Sequence, residues 1–244
     1  MKSFKILASV LAALLILGAC SSESSTQAQT NSDEALYEAA IKDAMVAEEN
    51  EIYSNLIPIT DTNKYLSWNG SGDGRRVLVL TWTKHASSYS VGAEVVNTWG
   101  EVWVTAVPEM KDWFGKYTHR ITDTVLRTEQ LLGLGKGSKY STFVELWVRP
   151  TDLFRPSADC EISDNVAQIE YPAVMDSSYR AWFEKNIIYS YFPMRYPWTR
   201  LGYTYDWGSS ETEVGLSEFV IKPNSRLIVN RVYTNQEFFN SLSK

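Results

Sequence analysis

Three carboxylates stand where the sequence could put them to chemical use. Glu145 lies in Thr142–Val148, TFVELWV, and strand alternation places it on the same face as Phe143 and Trp147. A carboxyl group in apolar surroundings has its pKa raised and can act as a general acid or base. Glycoside hydrolysis needs a second carboxylate across a cleft, and Asp206 and Glu218 are the candidates to pair with Glu145. Glu145 also has a plainer reading, as a solvent-facing group on an edge strand. Just beyond that strand, Arg149 and Arg155 flank Asp152. They either hold an anionic group or pin a turn through an Arg–Asp pair.

The densest local feature is Tyr189–Trp207, YSYFPMRYPWTRLGYTYDW, in which eight of nineteen residues are aromatic. Tyr203, Tyr205 and Trp207 alternate, so an extended strand would present them on one face. Trp198, Arg200, Tyr203, Tyr205 and Trp207 form the candidate ligand-binding set. Rings supply rigid apolar area with a polar tip, and the nearby charges of Arg195, Arg200 and Asp206 could orient a sugar or peptide. The competing reading is that these rings are core, as large aromatics usually are.

Other chemistries lack their residues. No Gly-x-Ser-x-Gly elbow supports a serine hydrolase, and neither His85 nor His119 carries a catalytic signature. The two histidines and two cysteines show no zinc-ligand spacing. Residues 69–74, NGSGDG, superficially resemble the start of an EF-hand loop. The twelfth position is Leu80 rather than Glu, and a strand follows instead of a helix, so calcium is not expected there. The glycines of LLGLGKGSK match neither a P-loop nor a dinucleotide loop. They read as a helix end and a turn. No cofactor is expected. The chain carries 29 acidic against 23 basic residues and no basic run, which argues against nucleic-acid partners.

The elements that must position these groups mix helices and strands without regular βαβ alternation. Asn31 can cap a helix, with Glu34 completing a capping box, running through about Tyr53. Arg76–Thr83, Glu101–Val107 and Thr142–Val148 read as strands. The first two are apolar on both faces and therefore central. Helices are expected over 108–117, over about 122–132 with Gly133 beyond, and from Asp176 to about Tyr191. In the last of these, Tyr179, Trp182, Phe183, Asn186 and Ile187 fall on one side. Short strands near 201–205, 216–221 and 226–232 follow, with Lys222-Pro223-Asn224-Ser225 as a turn, and Thr234 caps a last helix to Leu242. This pattern predicts a single α+β domain with a mainly antiparallel sheet packed by several helices.

The N-terminus reads MKSFKILASVLAALLILGAC. Lys2 and Lys5 precede an apolar run too short to span a bilayer, and Leu17-Gly18-Ala19-Cys20 follows. This resembles a bacterial lipoprotein signal peptide with its lipobox. The resemblance implies that residues 1–19 are removed and that Cys20 is lipidated. It places the protein in the cell envelope, at the outer membrane in a Gram-negative host because Ser21 is not Asp. The membrane is then a partner through the lipid anchor. Residues 20–31 read as the lipidated cysteine and a polar tether reaching about 36 Å at most, and 32–244 as the globular domain. Removing Lys2 and Lys5 takes the formal charge from −6 to about −8. With Cys20 acylated, Cys160 has no intrachain disulfide partner and reads as a buried small apolar residue.

Two further resemblances concern the domain. Gly215–Val232, GLSEFVIKPNSRLIVNRV, resembles the closing strands of ADP-ribosyltransferase-type domains, where a catalytic Glu ends an E-x-E motif. Here Leu216-Ser217 precede Glu218, and Glu211-Thr212-Glu213 lies five residues early. The segments VWVTAVPE, FVELWVRPTDLFRP and PWTRLGYTYDWG resemble an uncharacterised class of bacterial envelope proteins, which implies no particular activity. The leading expectation is a membrane-anchored module that binds a glycan, peptide or envelope protein. The alternative is a hydrolase or glycan-processing enzyme using Glu145 with Asp206 or Glu218. An ADP-ribosyltransferase-like domain ranks third.

Overall fold

A computed structural model describes Gln29 and residues 32–242. The lipobox with Cys20, the Asn31 cap and the 20–31 tether apart from Gln29 lie outside the described residues.

Nine strands form one antiparallel sheet: β1 Trp68–Asn69, β2 Arg76–Thr83, β3 Glu94–Val96, β4 Val102–Ala106, β5 Thr142–Val148, β6 Leu153–Phe154, β7 Tyr203–Tyr205, β8 Val214–Ile221 and β9 Arg226–Thr234. The order is β3-β9-β5-β2-β4-β8-β6, with β1 paired to β2 and β7 paired to β8. The fold is therefore α+β with an antiparallel sheet. The strands with apolar residues on both faces, β2 and β4, are central, as that pattern requires. β5 is central too, between β2 and β9. Glu145 is consequently buried and does not face solvent on an edge.

Lys222–Ser225 does turn the chain, with Asn224 at φ 61°, but it joins strands that do not pair. β8 and β9 stand four strand spacings apart, about 19 Å in a flat sheet. The five residue steps from Ile221 to Arg226 reach at most about 18 Å. The sheet must therefore curl, bringing the two strand ends together. Asn97 clasps the junction from a fully buried position: its Nδ2 donates to the Gly100 and Lys222 carbonyls, and its Oδ1 accepts from Ser225 N at 2.7 Å.

The two faces of the curled sheet carry different cores. Val77, Val79, Val104, Val144, Phe219 and Ile221 pack together on one face. Leu78, Leu80, Phe143 and Leu216 face the helices, α2 Val107–Tyr117 and α5 Asn235–Leu242 above all. A separate cluster joins α1, residues 32–44, to α4 Ser177–Tyr191 through Ile41, Phe183 and Trp198. α1 ends well short of Tyr53. Arg200 Nη2 donates to the carbonyls of Ala44 and Met45, satisfying acceptors that a helix end leaves open. Elsewhere local chemistry sets the boundaries. Asp123 caps α3 Thr124–Leu131, Asp176 caps α4, and Thr234 with Glu237 forms a reciprocal cap on α5.

Candidate functional site

The three candidate carboxylates do not converge. The register pairs Glu145 with Leu80, Leu80 with Thr105, and Thr105 with Glu218, all on the helix-facing side. Glu145 and Glu218 are thus three strand spacings apart, about 14 Å along the sheet, beyond the roughly 9.5 Å limit for a glycosidase pair. Glu145 is also committed elsewhere. Lys111 Nζ lies 2.6 Å from its Oε1, Asn230 Nδ2 donates to Oε2 at 2.6 Å, and Tyr233 Oη donates at 3.3 Å. It sits in a satisfied polar knot rather than an apolar setting. Asp206 is buried and accepts from both terminal nitrogens of Arg127, whose guanidinium stacks 4.5 Å from the Trp113 ring centre.

The two arginines after β5 are likewise separate. Arg149 pairs with Asp152 at 2.9 Å and pins the turn. Arg155 is fully buried and ties Asp164, Val166 and Ile57 together. No shared anion site forms between them. His119 is exposed and accepts from Arg120 Nε. Cys160 is half-buried, and burial pushes its thiol pKa up.

Of the aromatic set, Trp198 and Tyr203 are buried, at 5% and 1% exposure. Trp207 is buried as well; its Nε1 donates to the Leu134 carbonyl and its ring meets Tyr37 edge-on. Arg200 lies over the Tyr191 ring while holding the end of α1. Trp207 and Arg200 therefore serve packing. β7 is only three residues long and shifts register against β8 between Tyr203 and Tyr205, and Trp207 lies beyond it. Tyr203 turns to the Glu51 carbonyl and Tyr205 to Asp43.

What the structure does build is a cavity of about 400 Å³, lying above β2, β4 and β8. Leu80, Thr105 and Glu218 form its floor, in register across three strands. One wall comes from α4 and the chain after it, through Asn186, Tyr189, Tyr196 and Trp198. The opposite wall is Leu132, Leu134 and Tyr140, and His85, Trp99 and Glu101 line it from the segments flanking β3. Its aromatic side rests on a triangle of indoles. Trp103 meets Trp198 edge-on at 6.1 Å and Trp182 at 6.2 Å, and Trp182 and Trp198 are 6.1 Å apart. Trp182 Nε1 donates to Glu101, which fixes that carboxylate. Trp103 is 37% exposed and Trp99 50%, so rings are presented to solvent.

Two polar groups behind the cavity lining, and one that opens into it, lack protein partners. Thr105 Oγ1 and Trp198 Nε1 are buried without a hydrogen bond. Among the described residues the Glu218 carboxyl has neither a hydrogen-bond partner nor a counter-ion. Burial alone pushes its pKa up to about 8. Glu218 retains some accessible surface because it opens into the cavity. Trp198, Tyr203, Tyr205 and Glu218 were legible as candidates. Trp82, Trp99, Trp103, Thr105 and Tyr140 were not. Parity along β4 could have found part of this set, since Glu101, Trp103 and Thr105 alternate onto one face.

No family model matches the chain, and no curated protein or solved structure matches it either.

Proposed function

We propose that this chain is a lipid-anchored binding module of the bacterial cell envelope and that the aromatic cavity above β4 and β8 is its ligand site. One observation carries the reading. The cavity lies in the size range of small-molecule sites and combines ring walls with the unpaired Glu218 carboxyl, which opens into it. A buried polar group without a partner costs about 1–3 kcal/mol, so a ligand that pairs with Glu218 recovers energy the free protein forgoes. Aromatic walls suit the apolar face of a sugar or a peptide side chain. The scattered carboxylates favour capture over two-carboxylate hydrolysis. The lipobox resemblance at Cys20 supports the anchor and the compartment.

The test uses the full chain in a non-ionic detergent, titrated with a panel of oligosaccharides and short peptides while tryptophan emission is followed. A panel member should change the emission and bind about tenfold more weakly to Trp103→Ala, with an unchanged circular-dichroism spectrum. If emission responds to no panel member, or if Trp103→Ala binds as well as the parent, the cavity reading fails. Mass spectrometry of the mature N-terminus should show an acylated Cys20; an unmodified N-terminal residue there refutes the anchor.

A further inference from the structure

We infer that the inner end of this cavity receives a positively charged nitrogen, an ammonium or alkylammonium group, with Glu218 as counter-ion and Trp103 among the rings around it. The inference rests on reading the cavity as a ligand site and specifies what enters it.

The charge distribution is the first argument. No lysine or arginine lines the cavity among the described residues. The basic groups nearby stand against rings of the wall: the Arg195 guanidinium lies 4.3 Å from the Tyr189 ring centre, and Lys84 Nζ lies 5.9 Å from that of Tyr140. On α2, which contributes Met110 to the cavity, both charged neighbours turn away. Glu109 accepts from Ser217, and Lys111 pairs with Glu145. Glu101 is engaged by Trp182. The other titratable groups in the lining are His85 and six tyrosines, and burial pushes Tyr89, Tyr140, Tyr196, Tyr203 and Tyr205 up from the ordinary tyrosine value. An anionic ligand would find no positive partner inside.

The second argument is the shape of the floor. Glu218 stands directly opposite Thr105, and Trp103, two residues back along β4, is its diagonal neighbour on the same face. Diagonal neighbours are about 7–8 Å apart, within reach of an aromatic side chain. A carboxyl group next to indole faces is the composition that attracts ammonium groups, since the ring face is negative and the acid supplies full charge.

The third argument is proton linkage. Below its pKa of about 8, Glu218 holds its proton in the free protein. An arriving cation favours the carboxylate, so the proton leaves to solvent as the ion pair forms. Affinity for a permanently charged ligand therefore rises with pH, by about tenfold per pH unit well below that value, and levels off above it.

The experiment compares benzyltrimethylammonium, whose charge does not titrate, with benzyl alcohol and phenylacetate, using the full chain in non-ionic detergent at pH 6, 7 and 8. Tryptophan emission and calorimetry report binding. The expected result is that the ammonium binds at least about tenfold tighter than the alcohol at pH 8, weakens toward pH 6 and releases about half a proton at pH 8 and close to one at pH 6, while phenylacetate does not bind. Glu218→Gln should lose the preference and the pH response but still bind benzyl alcohol. His85→Gln should keep both, which separates Glu218 from the histidine in the lining. Equal, pH-independent binding of the alcohol and the ammonium would overturn the cation inference and leave the cavity as a ligand site. Loss of the pH response in His85→Gln would overturn it too. If none of the three probes binds, both the inference and the proposed site fall.

Discussion

Replacing Glu218 by Gln should stabilise the protein at alkaline pH relative to acid pH. Burial holds Glu218 neutral up to about pH 8, and burial likewise raises Glu109 to about 7, although the Ser217 amide and hydroxyl both donate to it. In the unfolded chain both groups ionise near 4.5. Between 4.5 and the native values the unfolded chain sheds protons that the native protein keeps. Stability is therefore fully present below about pH 4.5 and is lost as pH rises toward 7 and 8. At 1.36 kcal/mol per pH unit, each group corresponds to at most ~3–5 kcal/mol. Glu218 opens into the cavity, so relaxation brings its share down to ~2–4 kcal/mol. Urea midpoints at pH 5, 7 and 8.5 read this directly. Most paired carboxylates have finished titrating by pH 5, and the difference between parent and Glu218→Gln removes what Glu51 and the two histidines add within the window. The parent protein should weaken steadily across it, and Glu218→Gln should weaken less by about that amount. A parent equally stable at pH 5 and 8.5, or a variant with the parent's slope, would refute the reasoning.

Four other outcomes follow from the same contacts. Asp206→Ala leaves the Arg127 guanidinium without its carboxylate and should lower unfolding stability by about 3–5 kcal/mol in urea titration. Trp198→Ala should cost about 3–5 kcal/mol because that ring is core as well as cavity wall, whereas the 37% exposed Trp103 should cost less than half as much on truncation, as read by thermal melts. Glu145→Gln should lower stability by about 1–3 kcal/mol by loosening Lys111, while ligand-induced changes in tryptophan emission stay as in the parent. Cys160 should react slowly with a thiol reagent at pH 7, because burial disfavours its thiolate, and quickly once urea opens the domain.

Sequence reasoning reached as far as local chemistry reaches. The two-sided apolar pattern of β2 and β4 announced central strands, and Asp176 and Thr234 announced the starts of α4 and α5. The curl of the sheet was not legible, because it depends on a buried Asn97 gripping residues more than a hundred positions away. The register shift between Tyr203 and Tyr205 in the three-residue β7 was not legible either, because it depends on how β8 pairs with it. α1 was expected to run on to Tyr53, since its end is set by Arg200, some 155 residues downstream. Glu218 was visible as a carboxylate. That it shares a floor with Thr105 and Leu80 emerges only from the β2–β4–β8 register.

The question of whether the 189–207 aromatics are core or site dissolves once the cavity is placed between two packed clusters. One cluster holds α2 and α5 against the sheet; the other joins α4 to α1. Both are built around bulky rings, and over β4 neither closes fully onto the other. Trp198 shows the consequence: it packs against Phe183 at 4.9 Å within its own cluster and edge-on against Trp103 along the cavity side. A ring in that position is fixed by its core contacts and can present an edge to a ligand without rearranging. A floor built on central strands adds rigidity, since Thr105 and Glu218 are held by ladders on both sides. Such a site loses little conformational entropy on binding, which is how a modest cavity can bind tightly. Substitutions at its inner wall should therefore change stability and affinity together, and those at the exposed Trp99 and Trp103 should change affinity with a smaller loss of stability.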